Sequence, residues 1–286
     1  MFKPVTIAEQ LLFNTVRIQV QTRDGASRVG TGFFFDFPIN ANKSVSAVIT
    51  NKHLIADAHT GKFELHEAET VNGKPQPAGK FFTVTLSVFP NYWIAHPGTN
   101  IDLCALPLQV LTAEAQKQGK AIYAVRLDQR QIPSFEALEA LSAVEDVLMI
   151  GYPTGLWDEV NNLPIVRRGI TATHPGVDFC GKSMGVIDAA CFPGSSGSPV
   201  VLVNESIYNT KTGAKLGNRA VLLGVLFAGP RMTAEGEIAI ADIPGNNAEP
   251  AVRESVMINL GYYVKAREIL FLGEHVVRVL RARGAL

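Results

Sequence analysis

Short runs with period-2 alternation restrict the fold of this chain more than any other feature. Val16, Ile18 and Val20 alternate with polar residues, the spacing of a half-buried strand. Asp24-Gly25 is a hairpin turn signal, and residues 30–35 read as the returning strand. Further β-like runs follow at 46–50, 81–88, 103–108, 146–150, 166–173, 200–203, 221–227 and 257–264, most of them bounded by Gly, Pro or Asn. Many short strands at such spacing close into barrels or sandwiches, so the fold class is all-β. Phe33, Phe34 and Phe35 alternate across one strand, so some of them are expected to face outward. Helices are few. Thr6 and Glu9 form a capping box that opens a helix over 7–14. Residues 111–119 and 135–143 read as short helices. Leu270, Leu272, His275, Val276, Val279 and Leu280 recur at near-helical spacing, with Arg278, Arg281 and Arg283 at the favourable end of a C-terminal helix. Residues 205–218 and 230–256 read as surface loops. With no repeat, low-complexity tract or linker, the chain reads as one compact unit with two sub-barrels.

Bulk properties exclude several function classes. The 286 residues carry 26 basic and 26 acidic side chains, so no net charge points to nucleic acid or to an anionic membrane surface. No run approaches the length of a membrane span, and the N-terminus lacks a signal peptide's apolar stretch, which predicts a cytoplasmic protein. Cys104, Cys180 and Cys191 show no metal-ligand spacing and cannot all pair within one chain. Reduced core thiols are the simpler reading, with a Cys180–Cys191 bridge as the alternative.

Three sites carry the chemistry. The turn Gly194-Ser195-Ser196-Gly197-Ser198-Pro199 can fold tightly enough for successive N–H groups to form an anion-binding concavity beside an exposed hydroxyl. Thr50-Asn51-Lys52-His53 puts a histidine at the end of a strand. Asn100-Ile101-Asp102-Leu103-Cys104-Ala105 puts an aspartate at the mouth of another. The order is His, Asp, Ser, with separations of 49 and 94 residues. Serine is a weak nucleophile until a base takes its proton; a neutral imidazole can do so and return the proton to the leaving group. A carboxylate fixes the imidazole tautomer, and the N–H groups of Gly194 and Ser196 would receive the oxyanion.

These motifs resemble those of chymotrypsin-fold (trypsin-like) serine proteases, and among them the catalytic domain of the HtrA/Deg branch. That branch has Thr-Asn-x-His, here Thr50 to His53, and Asp-Leu-Ala-hydrophobic, here Asp102 to Ala105. Its serine motif aligns with Asp188-Ala189-Ala190-Cys191-Phe192-Pro193 and the turn that follows. Gly30-Thr31-Gly32-Phe33 and Asn259-Leu260-Gly261-Tyr262 support the resemblance, which covers roughly residues 8–268. It implies two six-stranded antiparallel barrels with a C-terminal helix. The expected layout of a single domain over 1–286 is a barrel at about 8–110 carrying His53 and Asp102, a barrel at about 120–264 carrying Ser196, and a helix at 265–284. It further implies a serine endopeptidase acting through an acyl-enzyme on Ser196, with no cofactor. The resemblance makes Ala190 the base of the substrate pocket, with Phe227, Ala228 and Gly229 on one wall and Asn259 and Gly261 on the other. Such a pocket suits small or medium apolar residues before the cut. Ser198 departs from the pattern, standing where the family has a second glycine. The family's PDZ module is expected to be missing, so the assembly it supports in that branch is not implied. Ser195 replaces the acid that digestive enzymes use for zymogen activation, so that switch is expected to be absent.

Each residue also has a plainer reading. Ser196 could be an ordinary turn serine and His53 a capping residue; the ordered constellation favours the catalytic roles. His59, His66, His96, His174 and His275 read as surface or packing residues, and none suggests a metal site. Asp57 follows the histidine too closely to lie opposite its ring, and Asp188 reads as structural. An α/β-hydrolase is disfavoured because Gly-x-Ser-x-Gly fails at Ser198 and the order of triad residues is wrong. The stronger rival is a protease-fold protein that binds peptides without cutting, or cuts only once a partner orders its loops. The expected partner is a protein or peptide substrate, with a regulatory partner or homo-oligomer left open and no nucleic acid or membrane.

Overall fold

The computed structural model describes residues 2–211, 213–232, 238–242 and 256–286. Parts of the expected loop over 230–256, namely 233–237 and 243–255, lie outside the described residues. After α1 (Ile7–Leu12), the first half contains β1 (Thr15–Thr22), β2 (Ser27–Asn40), β3 (Lys43–Thr50), β4 (Ala58–Val71), β5 (Lys74–Ser87), β6 (Ile94–Ala95), β7 (Cys104–Pro107) and β8 (Leu127–Asp128). A single helical turn, α2 (Lys52–Ile55), follows β3, and α3 (Leu108–Lys117) follows β7. The strands form one curled sheet in the order β5-β4-β1-β2-β3-β7-β6, with β8 pairing in parallel beside β2.

The second half opens with α4 (Phe135–Glu139) and continues with β9 (Asp146–Gly151), β10 (Ile165–Thr171), β11 (Met184–Asp188) and β12 (Pro199–Asn204). Then come β13 (Ile207–Thr210), β14 (Gly213–Leu216), β15 (Arg219–Met232), β16 (Ile238–Asp242), β17 (Val256–Met257) and β18 (Leu260–Lys265). The order β12-β9-β10-β11-β18-β15 returns to β12 through a β12–β15 ladder, which closes a six-stranded barrel. The all-β class and the C-terminal helix, α5 (Arg267–Ala282), match the expectation. The first sheet has eight strands and no closing ladder among the described residues. The stretch 205–218 is not a plain loop: β13 and β14 pair there as a hairpin.

Three layers of apolar side chains explain the arrangement. Val16, Ile18, Phe34, Val48, Phe63, Val84, Phe89 and Leu106 fill the curl of the first sheet. Val147, Met149, Ile187, Cys191, Val200, Leu226 and Tyr263 fill the barrel. Between them lies a layer drawn from both halves: Phe33, Phe35, Phe37 and Ile49 meet Ile150, Val201, Val225 and Val264. Strand β2 therefore has core on both faces. All three phenylalanines expected to divide between inside and outside are buried, because the second half and α5 cover the face that an isolated sheet would leave wet. The buried stripe of α5 is Ile269, Leu272, Val276 and Leu280; Leu270, expected on that stripe, is exposed. Gly273 lets the helix approach, since a Cβ there would overlap the Phe37 ring. The capping box at Thr6 and Glu9 is present as read from sequence.

Polar groups are also enclosed where the halves meet. The Arg17 guanidinium stacks 4.0 Å above the Trp157 ring. The Asn162 amide donates to the Glu64 carbonyl at 3.2 Å. His66 packs 4.8 Å from Phe13, and burial pushes its imidazole down from the ordinary 6.5 to about 4. Between these two values the unfolded chain binds a proton at this ring and the folded chain does not. Stability is therefore expected to fall as pH drops from 6.5 to about 4, by on the order of 3 kcal/mol from this residue. His66→Phe should flatten that acid limb in urea titrations at pH 7 and pH 4.5. An unchanged pH dependence would remove His66 as its source.

Candidate active site

Strand β3 ends at Thr50, and the chain turns at once into α2, which carries His53. Asn51 stands at the helix N-cap without capping it. Its amide instead donates to the backbone carbonyl of Asp102 at 2.8 Å. The His53 N–H donates to Asp102 Oδ1 at 3.1 Å, and His53 Nδ1 lies 2.5 Å from Oδ2. The carboxylate is thus held by both the backbone and the ring of one residue. This bond puts the proton on Nδ1, which leaves Nε2 with a lone pair. Asp57, the rival acid, does not share this bond.

The segment carrying Asp102 is tied at several points. Lys52 Nζ donates to the Gly98 carbonyl at 2.9 Å, and burial lowers the lysine's pKa while the Asp102 charge opposes the shift. His96 donates its N–H to the Leu103 carbonyl at 2.9 Å and accepts from the Gly98 N–H on Nδ1 at 3.0 Å. Its Nε2 lies 3.4 Å from the Glu268 carboxylate at the start of α5. Burial lowers the pKa of His96, and Glu268 opposes that. His66 and His96 are therefore core residues rather than surface ones. No group of His, Cys, Asp and Glu among the described residues could hold a metal ion.

Ser196 sits in a turn whose peptide groups are almost all engaged. The Thr154 N–H bonds to the Pro193 carbonyl. Thr31 Oγ1 donates to the Gly194 carbonyl at 3.0 Å. Ser195 N–H donates to the Phe192 carbonyl at 3.0 Å, Gly197 N–H to Leu226 at 2.8 Å and Ser198 N–H to Ser195 at 3.0 Å. The Ser196 carbonyl accepts from the Thr31 N–H at 2.8 Å. The backbone donors of Gly194 and Ser196 have no partner among the described residues. Gly194 and Gly197 have φ of +89° and +85°, a region that favours glycine. A Cβ on Gly194 would overlap the Tyr152 carbonyl, and one on Gly197 the Thr31 carbonyl.

The structure joins His53 to Asp102. It does not join either to Ser196 by a hydrogen bond: the Ser196 hydroxyl is enclosed and has no partner among the described residues. Ser195 and Ser198 hydroxyls are enclosed and unpartnered too. Ser198 keeps an ordinary backbone conformation, being absent from the positive-φ residues. Its side chain lies against Gly151, whose missing Cβ leaves the room.

The expected pocket residues gather around β18 and the segment before the turn. Gly261 pairs with Ile187 across β11 and β18. The Ala189 N–H donates to the Asn259 carbonyl at 2.9 Å. Phe227 sits where the register between β15 and β18 shifts, with its ring 6.5 Å from that of Tyr262. Ala228 and Gly229 are buried beside it, and Ala190 is half-buried. Cys191, which sequence reasoning left out of the pocket, points at Gly261: a Cβ there would overlap its sulfur. Burial pushes the Cys191 thiol up to about 12. All three cysteines are free, so the alternative Cys180–Cys191 bridge is absent. Thr31, Tyr152 and Thr154 were likewise missed as parts of the site. Their only sequence signal is the small-residue run Gly30-Thr31-Gly32 and the Gly151-Tyr152-Pro153 turn.

Two substitutions separate the required from the tolerated side chains. Gly197→Ala should cost roughly 2 kcal/mol or more in denaturant unfolding, through backbone strain and overlap with Thr31. Ser198→Ala removes a buried hydroxyl that bonds to nothing and should change stability by no more than about 0.5 kcal/mol. Equal effects of the two would show that the turn is not constrained as described.

A family model described as the trypsin-like peptidase domain matches residues 30–206. No curated protein matches the sequence. Among solved structures, similarity extends to the HtrA-type protease AlgW with tripeptide, at 13% identity and a TM-score of 0.46, covering 96% of this chain and 62% of that one. A mutant of the tobacco etch virus protease is 12% identical with a TM-score of 0.46, covering 95% and 81% of the two chains. HL collagenase is 13% identical with a TM-score of 0.46, covering 96% and 95%. The chain thus spans less than two thirds of the HtrA-type structure. With the family model matching more than half of its length, the chain belongs to the trypsin-like peptidase family.

Proposed function

We propose that the protein is a serine endopeptidase, with Ser196 as nucleophile, His53 as general base and acid, and Asp102 as the group that orients the imidazole. The observation that carries this reading is the pair of unengaged N–H groups, on Gly194 and Ser196, in a turn where the neighbouring peptide groups are bonded. An oxyanion forming on a scissile carbonyl beside Ser196 would take both donors. The His53 Nδ1–Asp102 bond supports the base assignment, because it leaves Nε2 to accept the serine proton. Attack forms the Oγ–carbon bond and moves the proton to Nε2. Collapse of the tetrahedral adduct breaks the peptide C–N bond, with that proton passing to the leaving amine. Water then repeats the sequence on the acyl-enzyme and frees Ser196.

The pocket assigned to Ala190, Phe227, Ala228, Gly229, Asn259 and Gly261 has no charged member. With the Cys191 sulfur against Gly261, the inner end is narrow and apolar. This supports a preference for small or medium apolar residues before the cut, a loose one because a methylene is worth only ~1–3 kcal/mol. The proposed unit is one peptidase domain over 1–286, with parts at about 8–110, 120–264 and 265–284. The apolar layer shared by the two sheets supports treating them together.

One observation favours a second reading, a latent protease or peptide binder that a partner or substrate activates. The Ser196 hydroxyl has no bond to the His53 ring. Catalytic hydrogen bonds in substrate-free enzymes often tighten only on binding, and the first reading requires that of Ser196 and His53. A fluorophosphonate probe separates the two. Labelling of the isolated protein that disappears in Ser196→Ala is the expected result, together with loss of peptide cleavage by at least ~10³-fold. No labelling without an added partner would establish latency. In a peptide-library profile, Ala, Val and Leu are expected before the cut; a profile dominated by Lys or Arg would overturn the pocket assignment.

A further inference from the structure

We propose that Thr31 is a positioning residue for the nucleophile turn, its one hydroxyl setting the direction of the Gly194 N–H. The inference rests on the serine-peptidase reading above. Thr31 is fully buried on β2 of the first sheet, yet three of its four polar contacts reach across to the second half. Its Oγ1 donates to the Gly194 carbonyl at 3.0 Å and accepts from the Tyr152 N–H at 3.1 Å. Its N–H donates to the Ser196 carbonyl at 2.8 Å. Its carbonyl stays within the first sheet, accepting from Thr50 Oγ1 at 2.7 Å.

The consequence follows from peptide planarity. In a trans peptide the carbonyl and the N–H point in opposite directions, so holding one aims the other. The Pro193–Gly194 peptide has its carbonyl held by the Thr154 N–H. Thr154 belongs to a tight turn closed by the Gly155 N–H on the Tyr152 carbonyl at 3.0 Å, and itself adopts a φ of +51°. That turn is anchored where the Tyr152 N–H meets Thr31 Oγ1. The next peptide, Gly194–Ser195, has its carbonyl held by the same oxygen atom. One hydroxyl therefore braces the planes on both sides of Gly194, directly on one side and through the Tyr152–Gly155 turn on the other. Glycine is the residue most able to flip between such planes, so the brace acts where the backbone is least stiff. Only a hydroxyl can serve, because the site needs a donor and an acceptor on one atom. The backbone bonds of Thr31 need no side chain and persist in its variants.

The test compares Thr31→Val, which keeps the shape and loses the hydroxyl, with Thr31→Ser, which keeps the hydroxyl and loses the methyl. Thr31→Ala is a second hydroxyl-free variant. The readouts are fluorophosphonate labelling of Ser196, kcat and KM on a chromogenic peptide, and hydrogen exchange of the segment 189–199 against β4 as an internal reference. Thr31→Val should lower kcat and the labelling rate by about 10- to 100-fold with KM within about threefold of wild type. Its segment 189–199 should exchange faster while β4 does not, and Thr31→Ser should recover most of both. Equal losses in Thr31→Ser and Thr31→Val would assign the effect to the methyl and overturn the proposal, as would wild-type rates in Thr31→Val. If wild type itself does not label, the serine-peptidase mechanism fails in the isolated protein. Exchange then decides the positioning role alone: faster exchange in Thr31→Val than in Thr31→Ser supports it, and equal exchange overturns it.

Discussion

Burial of β2 on both faces is the constraint on which the rest of the structure depends. Phe34 points into the curl of the first sheet, while Phe33, Phe35 and Phe37 point into the layer shared with the barrel and α5. A strand enclosed in this way cannot slip by one residue without exchanging its two apolar sets. Its register with β1 and β3 is therefore firm, and so is the position of Thr31 within it. The serine turn, though part of the barrel half, takes two of its hydrogen bonds from that strand, both from Thr31. Packing in the core and geometry at the turn are thus consequences of one piece of backbone.

The proposed base and its acid both belong to the first half of the chain. The strand-to-helix change at Thr50 and the start of β7 bring His53 and Asp102 together, and Asn51, Lys52 and His96 hold the connecting segment. The serine belongs to the barrel. The proposed chemistry therefore requires the two halves to meet with little tolerance, and the mixed apolar layer between them supplies the rigidity. The histidine and the aspartate are only partly enclosed, at 22% and 23% side-chain exposure, which suits groups that must reach a substrate.

Much of this was legible in the sequence, for identifiable reasons. Alternation at Val16, Ile18 and Val20 gave β1, and Thr6 with Glu9 gave the first helix, because both signals are local. The order of His53, Asp102 and Ser196 was legible as motifs. What remained hidden was tertiary. Nothing local to Phe33, Phe34 and Phe35 says that both faces of their strand will be covered. The hairpin strands at 207–210 and 213–216 are four residues each, too short for alternation to show, and their large apolar side chains Ile207 and Leu216 are exposed, so they read as loop. Thr31 looked like spacing between glycines, because its three partners in the second half lie more than 100 residues away. The Cys191 sulfur facing Gly261 depends on the pairing of β11 with β18, which no nearby pattern reveals.

Ser198 and Gly151 occupy one volume between them. The hydroxymethyl group at 198 fills the space that any side chain at 151 would need. The two positions are 47 residues apart in the chain and lie on separate strands or turns, so the link is steric and leaves no trace in either motif taken alone. A Cβ at 151 would overlap the Thr31 hydroxyl as well as the Ser198 hydroxyl, so emptying position 198 alone would not free position 151. The serine at 198 thus leans on a glycine that Thr31 already holds bare, so the strand that braces the turn also makes the room for its irregular residue.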